Sequence, residues 1–407
     1  MADDRMPLPT AVIIGNHTQG LGIARSAAGA GAQVWVVNDK AISLSRFSRH
    51  VSRYKRLRRG TLTCLDRQEC AGHLKETLLG LEFKGTAVLF GVNEDITRFI
   101  HQHSRDLRSR YLIPDVRLDA IYDKFVFNSL APESARIDTR LCSEVELASH
   151  PEPERFLIKG RCGNAFRQIT GEKAICLADF TKVGREQLFA KLSQDQVVVQ
   201  EIIKTTRPVL SLCSFSVNGQ MAGMFGYEKL RQHPNCFGTG TYLRSASVDM
   251  VRPAAEAILK GLEFTGISEI EFIYQDSQKA YRVIEMNPRT WKSVHFATQC
   301  GENLVGRQLS HFAGRRVDTN GTYAKDRHWA DLATDLPQMW REKRINGYDR
   351  GFFECTWTRS DPAPALALWT LFPLIAMENW MCSRITARQA GPPRESVASE
   401  GLGDLES

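Results

Sequence analysis

Short apolar runs bounded by polar or glycine-containing turns recur along the first 290 or so residues. Such runs predict buried strands. The first two, Ala11 to Gly15 and Gln33 to Asn38, enclose a small-residue helix, and another strand is predicted at Thr86 to Phe90. A helix is predicted to begin near Asn93 or Glu94. This order of elements predicts a doubly wound α/β domain at the N-terminus.

Further apolar runs predict a second region in which strands dominate. These strands are predicted at Phe156 to Lys159, Ala174 to Leu177, Val197 to Ile203, Leu212 to Val217 and Met221 to Tyr227. The last two flank Asn218-Gly219, a strong hairpin turn signal. An amphipathic helix, Val251 to Leu262, then leads into a final pair of strands.

That final pair, Ile270 to Tyr274 and Tyr281 to Met286, flanks a polar turn and predicts a hairpin. Side chains alternate between the two faces of a strand. The second strand and its continuation should therefore carry Glu285, Asn287 and Arg289 on one face. Ile284 and Met286 should point into a core.

Glu271, on the first strand of this hairpin, can face Glu285 if the turn has an odd number of residues, such as Asp276 to Ala280. Opposed carboxylates are unfavourable without a cation. Mg²⁺ takes oxygen ligands, and an arginine beside it can neutralise a phosphoryl group in transfer. The alternative is an ordinary hairpin with a solvated acidic and basic edge.

Composition narrows the class of protein. The chain has 407 residues, enough for two or three domains, and its net charge of +7 weakly favours anionic partners without indicating nucleic acid. The ten cysteines form no C-x-x-C pair, which argues against a zinc ribbon or a disulfide framework and favours a reducing cytoplasm. The acidic N-terminus lacks the apolar segment of a signal peptide.

Together, Glu271, Glu285, Asn287 and Arg289 in IEMNPR resemble the magnesium-binding and catalytic strands of the ATP-grasp superfamily. The likeness runs from near the N-terminus to about Gly314, and the strands resemble those of the biotin carboxylase and carboxylate-amine ligase branches, the latter including D-aspartate ligase-like and carbamoyl-phosphate synthase-like enzymes. It implies three parts: a pre-ATP-grasp Rossmann-like domain at 1–113, a two-lobed α+β ATP-grasp domain at 114–314, and a C-terminal extension at 315–407. The predicted fold class is therefore α/β.

The resemblance also assigns roles to residues. Lys124 and Lys159 match lysines that contact nucleotide phosphates, and residues 160–171 match the flexible flap over them. Gln200, Glu201 and Ile203 match the adenine side of the ATP site. The metal ligands would be Glu271, Glu285 and Asn287. Catalytic roles fall to Arg289 and, through a likeness of Lys-x-Arg-Gln-x-Pro to D-aspartate ligase-like proteins, to Lys229 and Arg231. In the first turn of the N-terminal domain, His17, Thr18 and Gln19 are the candidates for holding the acceptor substrate.

This resemblance implies an ATP-dependent carboxylate-amine ligase that forms an acyl phosphate, releases ADP and phosphate, and uses ATP with Mg²⁺ or Mn²⁺. A catalytically silent ATP-binding regulator or scaffold is the alternative. A nicotinamide-dependent oxidoreductase, with Asp39 as ribose ligand, is disfavoured because Gly15, Gly20 and Gly22 do not match G-x-G-x-x-G. We expect small-molecule carboxylate and amine substrates and no nucleic acid, and we leave a homodimer open.

Two stretches fall outside this scheme. Between Arg46 and Arg59, seven of fourteen residues are basic, and the apolar spacing predicts an amphipathic surface helix or turn, with an anionic substrate or lipid headgroup as the alternative. The uncharged run from Pro362 to Met377 is too short for a comfortable membrane span. It predicts a packed helix or a peripheral membrane contact, and Gly391 to Ser407 predicts a disordered tail.

Overall fold

The computed structural model describes residues 6–15, 17–163, 165–234, 238–317, 321–341, 348 and 351–378. Within these residues the chain forms three β-sheets with helices packed on them. The predicted mixed α/β class is confirmed. The predicted disordered tail at 391–407 lies outside the described residues.

The N-terminal domain is built on a parallel five-stranded sheet with the order β3-β2-β1-β4-β5. Every residue of β1, β2 and β4 is buried, because helices cover both faces of the sheet. This explains why these strands read as continuous apolar runs. The elements are β1 (Thr10–Ile14), α1 (His17–Gly29), β2 (Val34–Asn38), β3 (Arg53–Arg56), α2 (Gln68–Leu79), β4 (Ala87–Gly91), α3 (Glu94–Gln102), α4 (Ser104–Leu107) and β5 (Tyr111–Leu112).

The basic stretch was predicted to be an amphipathic surface helix or a turn, and the structure has a turn followed by a strand instead of the helix. Residues Leu44–Phe47 form a single 3₁₀ turn, and β3 follows as an edge strand paired in parallel with β2. Tyr54 donates its hydroxyl to the Lys40 carbonyl at 2.7 Å, while Arg53, Lys55 and Arg56 are exposed. Lysine and arginine at a sheet edge discourage pairing with another chain.

The middle of the chain forms a small lobe around a four-stranded sheet with the order β6-β9-β7-β8. Its own apolar core includes Ile158, Phe166 and Val199. The predicted phosphate flap contains one helix, α7, in the part that the structure describes. Helices α5 (Leu118–Tyr122) and α6 (Lys124–Leu130) precede this lobe and share an apolar core with β10, β13 and β14, which follow it in the chain. The elements of the small lobe are β6 (Thr139–Leu141), β7 (Phe156–Gly160), α7 (Ala165–Thr170), β8 (Ala174–Cys176), α8 (Lys182–Phe189) and β9 (Val197–Glu201).

A large lobe completes the fold around a seven-stranded sheet with the order β14-β13-β10-β11-β12-β15-β16. The hairpin at Asn218-Gly219 is confirmed, and both turn residues have positive φ angles of 47° and 77°. The elements are β10 (Val209–Val217), β11 (Gln220–His233), β12 (Thr239–Ser245), α9 (Arg252–Gly261), β13 (Gly266–Gln275), β14 (Ala280–Asn287), α10 (Val294–Gln299), α11 (Leu304–Phe312), β15 (His328–Ala330), α12 (Leu332–Arg341), β16 (Phe352–Glu354) and α13 (Ala363–Thr370).

Residues after 314 are part of the same architecture. Strands β15 and β16 extend the sheet of the large lobe, since β15 pairs antiparallel with β12. Helix α13 then returns to the N-terminal domain and packs beside the Leu44–Phe47 turn. The predicted apolar helix is therefore present, while the three domain boundaries stay predictions.

Helix α13 is short, and residues 372–378 are helical as well. Among the described residues, no helix is both long and apolar enough to cross a membrane.

Candidate functional site

The hairpin of β13 and β14 brings the two predicted metal-binding acids together. Glu271 is the register partner of Glu285. The turn between the strands, Asp276 to Lys279, has an even number of residues, so the predicted odd-length turn is wrong. The acids face each other because β14 contains a bulge: Phe272 pairs with Val283 and Glu271 with Glu285, which leaves Ile284 as the extra residue.

The same bulge corrects the predicted core positions. Val283 and Met286 belong to the apolar core of the large lobe. Ile284 is half-buried instead of fully packed, because a bulged residue leaves the regular alternation of the strand.

A third carboxylate, Glu269, belongs to the site and was missed from the sequence. Glu269 is buried and is the register partner of Asn287. The Asn287 amide donates to Glu269 Oε2 at 3.1 Å and lies 3.5 Å from Glu285 Oε1. Tyr227 donates its hydroxyl to the other oxygen of Glu269. The signal that could have found Glu269 is its position two residues before Glu271, on the same face of β13.

Lys229, on β11, contributes positive charge to these carboxylates. Its ammonium lies 2.6 Å from Glu271 Oε1, and the two side chains are 8% and 11% exposed. Burial, together with the charges of Glu269 and Glu285, raises the pKa of Glu271 to about 7 even though Lys229 opposes the shift. Burial also disfavours the charged form of Lys229, but the carboxylates outweigh it, so the pKa of Lys229 is raised. The cluster thus holds more buried negative charge than Lys229 neutralises.

Arg289 lies just beyond β14, where the hairpin meets the N-terminal domain. One guanidinium nitrogen donates to Asn287 Oδ1 at 3.0 Å, and another donates to the Thr290 carbonyl at 3.0 Å. The same carbonyl accepts from Gln19 at 2.7 Å. Gln19, predicted to hold the acceptor substrate, is therefore tied to the loop that carries Arg289. Thr18 precedes it on α1, with a buried hydroxyl, whereas the side chain of His17 lies outside the described part of the chain.

The small lobe supplies Lys159, and the structure brings it to Gln200. The Lys159 ammonium donates to Gln200 Oε1 at 2.6 Å, and Gln200 donates to Thr139 Oγ1 at 2.8 Å. Burial, and then the charge of Lys124, lower the pKa of Lys159 to about 8, while Glu285 acts in the opposite direction. The charges of Lys124, at the start of α6, and of Glu285, on β14, therefore both act on Lys159.

Lys124 opens helix α6. The preceding residue, Asp123, caps the helix by accepting from the backbone N–H groups of Phe125 and Val126 at 3.0 and 3.1 Å. Arg161 holds the other oxygen of Asp123 at 2.8 Å, which ties the start of the flap to α6. The aspartate of the Asp-Lys pair thus positions the lysine.

The predicted adenine-side residues lie at the end of β9. Gln200 is buried, and its side-chain oxygen accepts a hydrogen bond from Lys159. Glu201 is half-buried, with the Arg155 guanidinium 3.6 Å away. Ile203 follows the strand and is half-buried. Their role in holding adenine stays a prediction.

Arg231 lies apart from the carboxylates of the hairpin. A register shift in β11 separates it from Lys229, and its guanidinium binds Asp335 of α12 at 2.6 Å. Asp335 is fully buried and also accepts from Thr241 at 2.6 Å. The guanidinium stacks over the ring of Tyr242, 4.2 Å from its centroid. Lys229 therefore joins the acidic site, and Arg231 joins a polar cluster beside α12; its predicted catalytic role stays a prediction.

A second group of potential metal ligands lies elsewhere in the large lobe. Ligand atoms of Asp331, Glu354 and Cys355 lie within 4.8 Å of one another. The Lys292 ammonium already occupies this position, 2.5 Å from Asp331. Burial raises the pKa of the Cys355 thiol well above its usual value, which disfavours the thiolate that binds metals. The hairpin carboxylates are therefore the better cation site.

The fold and this hairpin define a class of protein. Residues 239–316, which include all the hairpin residues described above, match the family model described as Carbamoyl-phosphate synthase L chain, ATP binding domain. Solved ATP-grasp structures share the overall architecture of the chain. The chain has the ATP-grasp fold, and the resemblance drawn from its sequence is confirmed.

Three solved structures illustrate the likeness. N5-carboxyaminoimidazole synthetase from Staphylococcus aureus has 14% identity and a TM-score of 0.60, over 89% of this chain and 94% of that one. Biotin carboxylase from Campylobacter jejuni has 12% identity and a TM-score of 0.59, over 80% and 75%. L-amino acid ligase from Bacillus licheniformis has 13% identity and a TM-score of 0.52, over 78% and 75%. No curated protein matches the chain in sequence.

Proposed function

We propose that this protein is an ATP-dependent ligase that joins a carboxylate to an amine. The main observation behind the proposal is that acidic side chains of the large lobe lie near a lysine of the small lobe. The large lobe presents Glu269, Glu271 and Glu285, and the small lobe presents Lys159 within electrostatic reach of Glu285. A site of this kind suits a metal-bound polyphosphate, which carries both the cation that the carboxylates need and the anion that the lysine needs.

The residues present fit a magnesium ion. Glu271, Glu285 and the amide oxygen of Asn287 are hard oxygen donors, and Glu269 lies beside them. Burial is the main cause of the raised pKa of Glu271, and the charges of Glu269 and Glu285 add to it; a divalent cation beside the carboxylate would oppose both effects. Mg²⁺ at this position would neutralise charge on the β- and γ-phosphates.

Cationic side chains would hold the phosphates from both lobes. Lys159 belongs to the small lobe, Lys124 opens helix α6, and Arg289 belongs to the large lobe next to Asn287. The backbone of Glu201 to Ile203 is our candidate for the adenine edge, because the side chain of Gln200 is committed to Lys159. ATP and Mg²⁺ are supported by relatives of the same fold, which include an N5-carboxyaminoimidazole synthetase with ADP and a biotin carboxylase domain with MgADP and bicarbonate.

The reaction follows from what such a site can stabilise. A carboxylate oxygen attacks the γ-phosphorus of ATP, the bond to the β,γ-bridging oxygen breaks, and ADP leaves. The amine then attacks the carbonyl carbon of the acyl phosphate, loses a proton to solvent, and expels inorganic phosphate. Positioning and charge neutralisation by Lys159 and Arg289 account for catalysis, so no protein nucleophile is needed.

The proposal is tested by ADP release over a panel of amino acids, small carboxylates and amines. With a carboxylate labelled with ¹⁸O, one label should appear in the released phosphate, since the acyl phosphate passes that oxygen to its leaving group. Formation of AMP and pyrophosphate, or unlabelled phosphate during genuine product formation, would exclude the mechanism. Tight ATP binding with no substrate-stimulated ADP release would favour the silent regulator instead.

A further inference from the structure

The segment from Asp361 to Glu378 forms an apolar surface that the proposed ligase chemistry does not use. Residues 362–377 contain no charged side chain. The inner face of α13 packs through Pro364, Ala365, Ala367 and Leu368. Its outer face should be polar in an ordinary surface helix. Here the outer positions of the segment are apolar as well, and they are Leu366, Trp369, Phe372, Leu374 and Met377, which are 44–58% exposed.

Buried carboxylates hold both ends of this segment against the N-terminal domain. At the start, Asp361 binds the Arg25 guanidinium at 3.0 Å and accepts from Ser48 Oγ at 2.7 Å. At the end, Glu378 accepts from the backbone N–H groups of Ala41 and Ile42 at 2.7 and 3.0 Å. The segment is therefore fixed with its apolar side outward, and it cannot turn that side into the core without breaking buried contacts at both ends.

Two exposed arginines lie next to this surface, at the start of a basic stretch of the chain. No acidic residue occurs between Lys40 and Leu65, and the seven basic residues from Arg46 to Arg59 fall in this stretch. Arg46 and Arg49 are exposed beside the 3₁₀ turn on which α13 packs. The Arg49 guanidinium donates to the Ser360 carbonyl at 3.4 Å, just before the apolar segment. The apolar surface and the basic stretch are thus adjacent.

We propose that residues 362–378, together with Arg46 and Arg49, bind the surface of an anionic lipid bilayer. Exposed tryptophan, phenylalanine and leucine insert into the headgroup boundary, and the arginines contact lipid phosphates and carboxylates. The segment lies in the plane of the membrane, because about 16 helical residues span roughly 24 Å at 1.5 Å each, less than the ~30 Å hydrocarbon core. The proposal is independent of the ligase reaction.

Charge favours a membrane over a second copy of the chain. A symmetric dimer uses the same patch on both subunits, which would place two basic stretches against each other. An anionic bilayer instead neutralises them. The third candidate for covering the apolar surface is the chain's own segment 379–407. It follows directly after Glu378, which accepts hydrogen bonds from the backbone of the N-terminal domain.

The test is co-sedimentation of the full chain with phosphatidylcholine vesicles, with and without phosphatidylserine, at low and high salt. We expect binding to the phosphatidylserine vesicles that weakens as salt rises. The double variant Trp369→Ser and Phe372→Ser should abolish it. The double variant Arg46→Gln and Arg49→Gln should weaken it roughly thirtyfold, at about fivefold for each charge near the surface.

Trp340→Ser is the matched control, because Trp340 is 86% exposed on α12, a helix that packs on β11 and β12. It should bind vesicles like the wild type, and circular dichroism should show every variant folded. Equal binding by the Trp369→Ser and Phe372→Ser variant would overturn the proposal. So would the absence of wild-type binding to both vesicle types, or a dimer in sedimentation that this variant converts to monomer. If truncation after Glu378 is required for binding, the tail covers this surface and the proposal for the full chain is wrong.

Discussion

The protonation of Lys159 should make ATP binding depend on pH in the alkaline range. In the free protein, burial and the charge of Lys124 lower the pKa of Lys159 from 10.5 to about 8. Phosphates placed against its ammonium would favour the charged form and raise this pKa again. Binding near pH 8 should therefore take up a proton.

The sign of the effect follows from linkage. Below pH 8 the free protein already carries the charge, so the affinity for ATP is constant there. Between the free and the bound pKa, each pH unit lowers the affinity by up to about tenfold. If bound phosphates return the pKa from about 8 to 10.5, the difference of about 2.5 pH units makes the total loss roughly three-hundredfold, or about 3.4 kcal/mol. Above the bound pKa the affinity is constant again.

Calorimetric titration with MgATP from about pH 7 to about pH 10 measures this directly, and comparison of buffers with different ionisation enthalpies reports the proton taken up. The terminal phosphate, with its second pKa near 6, is already fully ionised in this range. Lys159→Arg is the matched control, because a guanidinium keeps its charge and should give a flat profile. Lys124→Ala should weaken binding but shift the midpoint to higher pH, since it removes the charge that lowers the Lys159 pKa.

A wild-type profile that is flat over this range, with no proton uptake, would refute the placement of Lys159 against the phosphates. A profile that slopes equally in wild type and Lys159→Arg would assign the titration to another group. Neither result would contradict the fold, because the titration measures ATP binding and not the stability of the protein.

Three further predictions concern the site and the core. Glu285→Gln should keep the unfolding midpoint, since the side chain is exposed, but remove Mg²⁺-dependent ADP release; unchanged turnover would contradict the metal assignment. Arg289→Ala should slow turnover more than it weakens ATP binding, and an effect on binding alone would place the arginine outside the transition state. Asp335→Ala should leave the Arg231 charge without its carboxylate and cost about 3–5 kcal/mol in denaturant unfolding, whereas a loss below about 1 kcal/mol would show that the pair is solvated.

The sequence was most informative where one strand carried several polar side chains. Alternation alone placed Glu285 and Asn287 on one face, and the structure confirms that Glu271 lies opposite Glu285. The reasoning failed on the turn length, because the bulge at Ile284 is a property of strand pairing that composition does not reveal. Glu269 was overlooked although it obeys the same alternation as Glu271.

Long-range contacts were the least predictable. Arg231 and Asp335 are separated by 104 positions, and their pairing depends on the return of α12 to the sheet. Lys159 and Gln200 were both expected near ATP, but their hydrogen bond arises because β7 and β9 are antiparallel neighbours and the two residues are diagonal across the pair. In the basic stretch only the helix alternative was wrong: apolar residues three or four apart fit a helix, but pairing with β2 makes Arg53–Arg56 a strand.

Because of the bulge at Ile284, the pairing of Glu271 with Glu285 does not follow from the length of the turn at the tip of the hairpin. On the turn side of the bulge, Phe272 to Gln275 pair with Val283 to Ala280. On the other side, Glu269 to Glu271 pair with Asn287 to Glu285, in a register shifted by one residue. The parts of β13 and β14 nearest the tip, Phe272 to Gln275 and Ala280 to Val283, carry none of the acids, so a change at the tip of the hairpin falls on these parts first. Ser277 and Gln278, both exposed, are therefore the positions where we expect a short peptide tag or a fluorophore to leave the pairing of the acids unchanged. A label at this end of the hairpin would lie on the large lobe, away from the acids, and would serve in binding measurements without replacing a site residue.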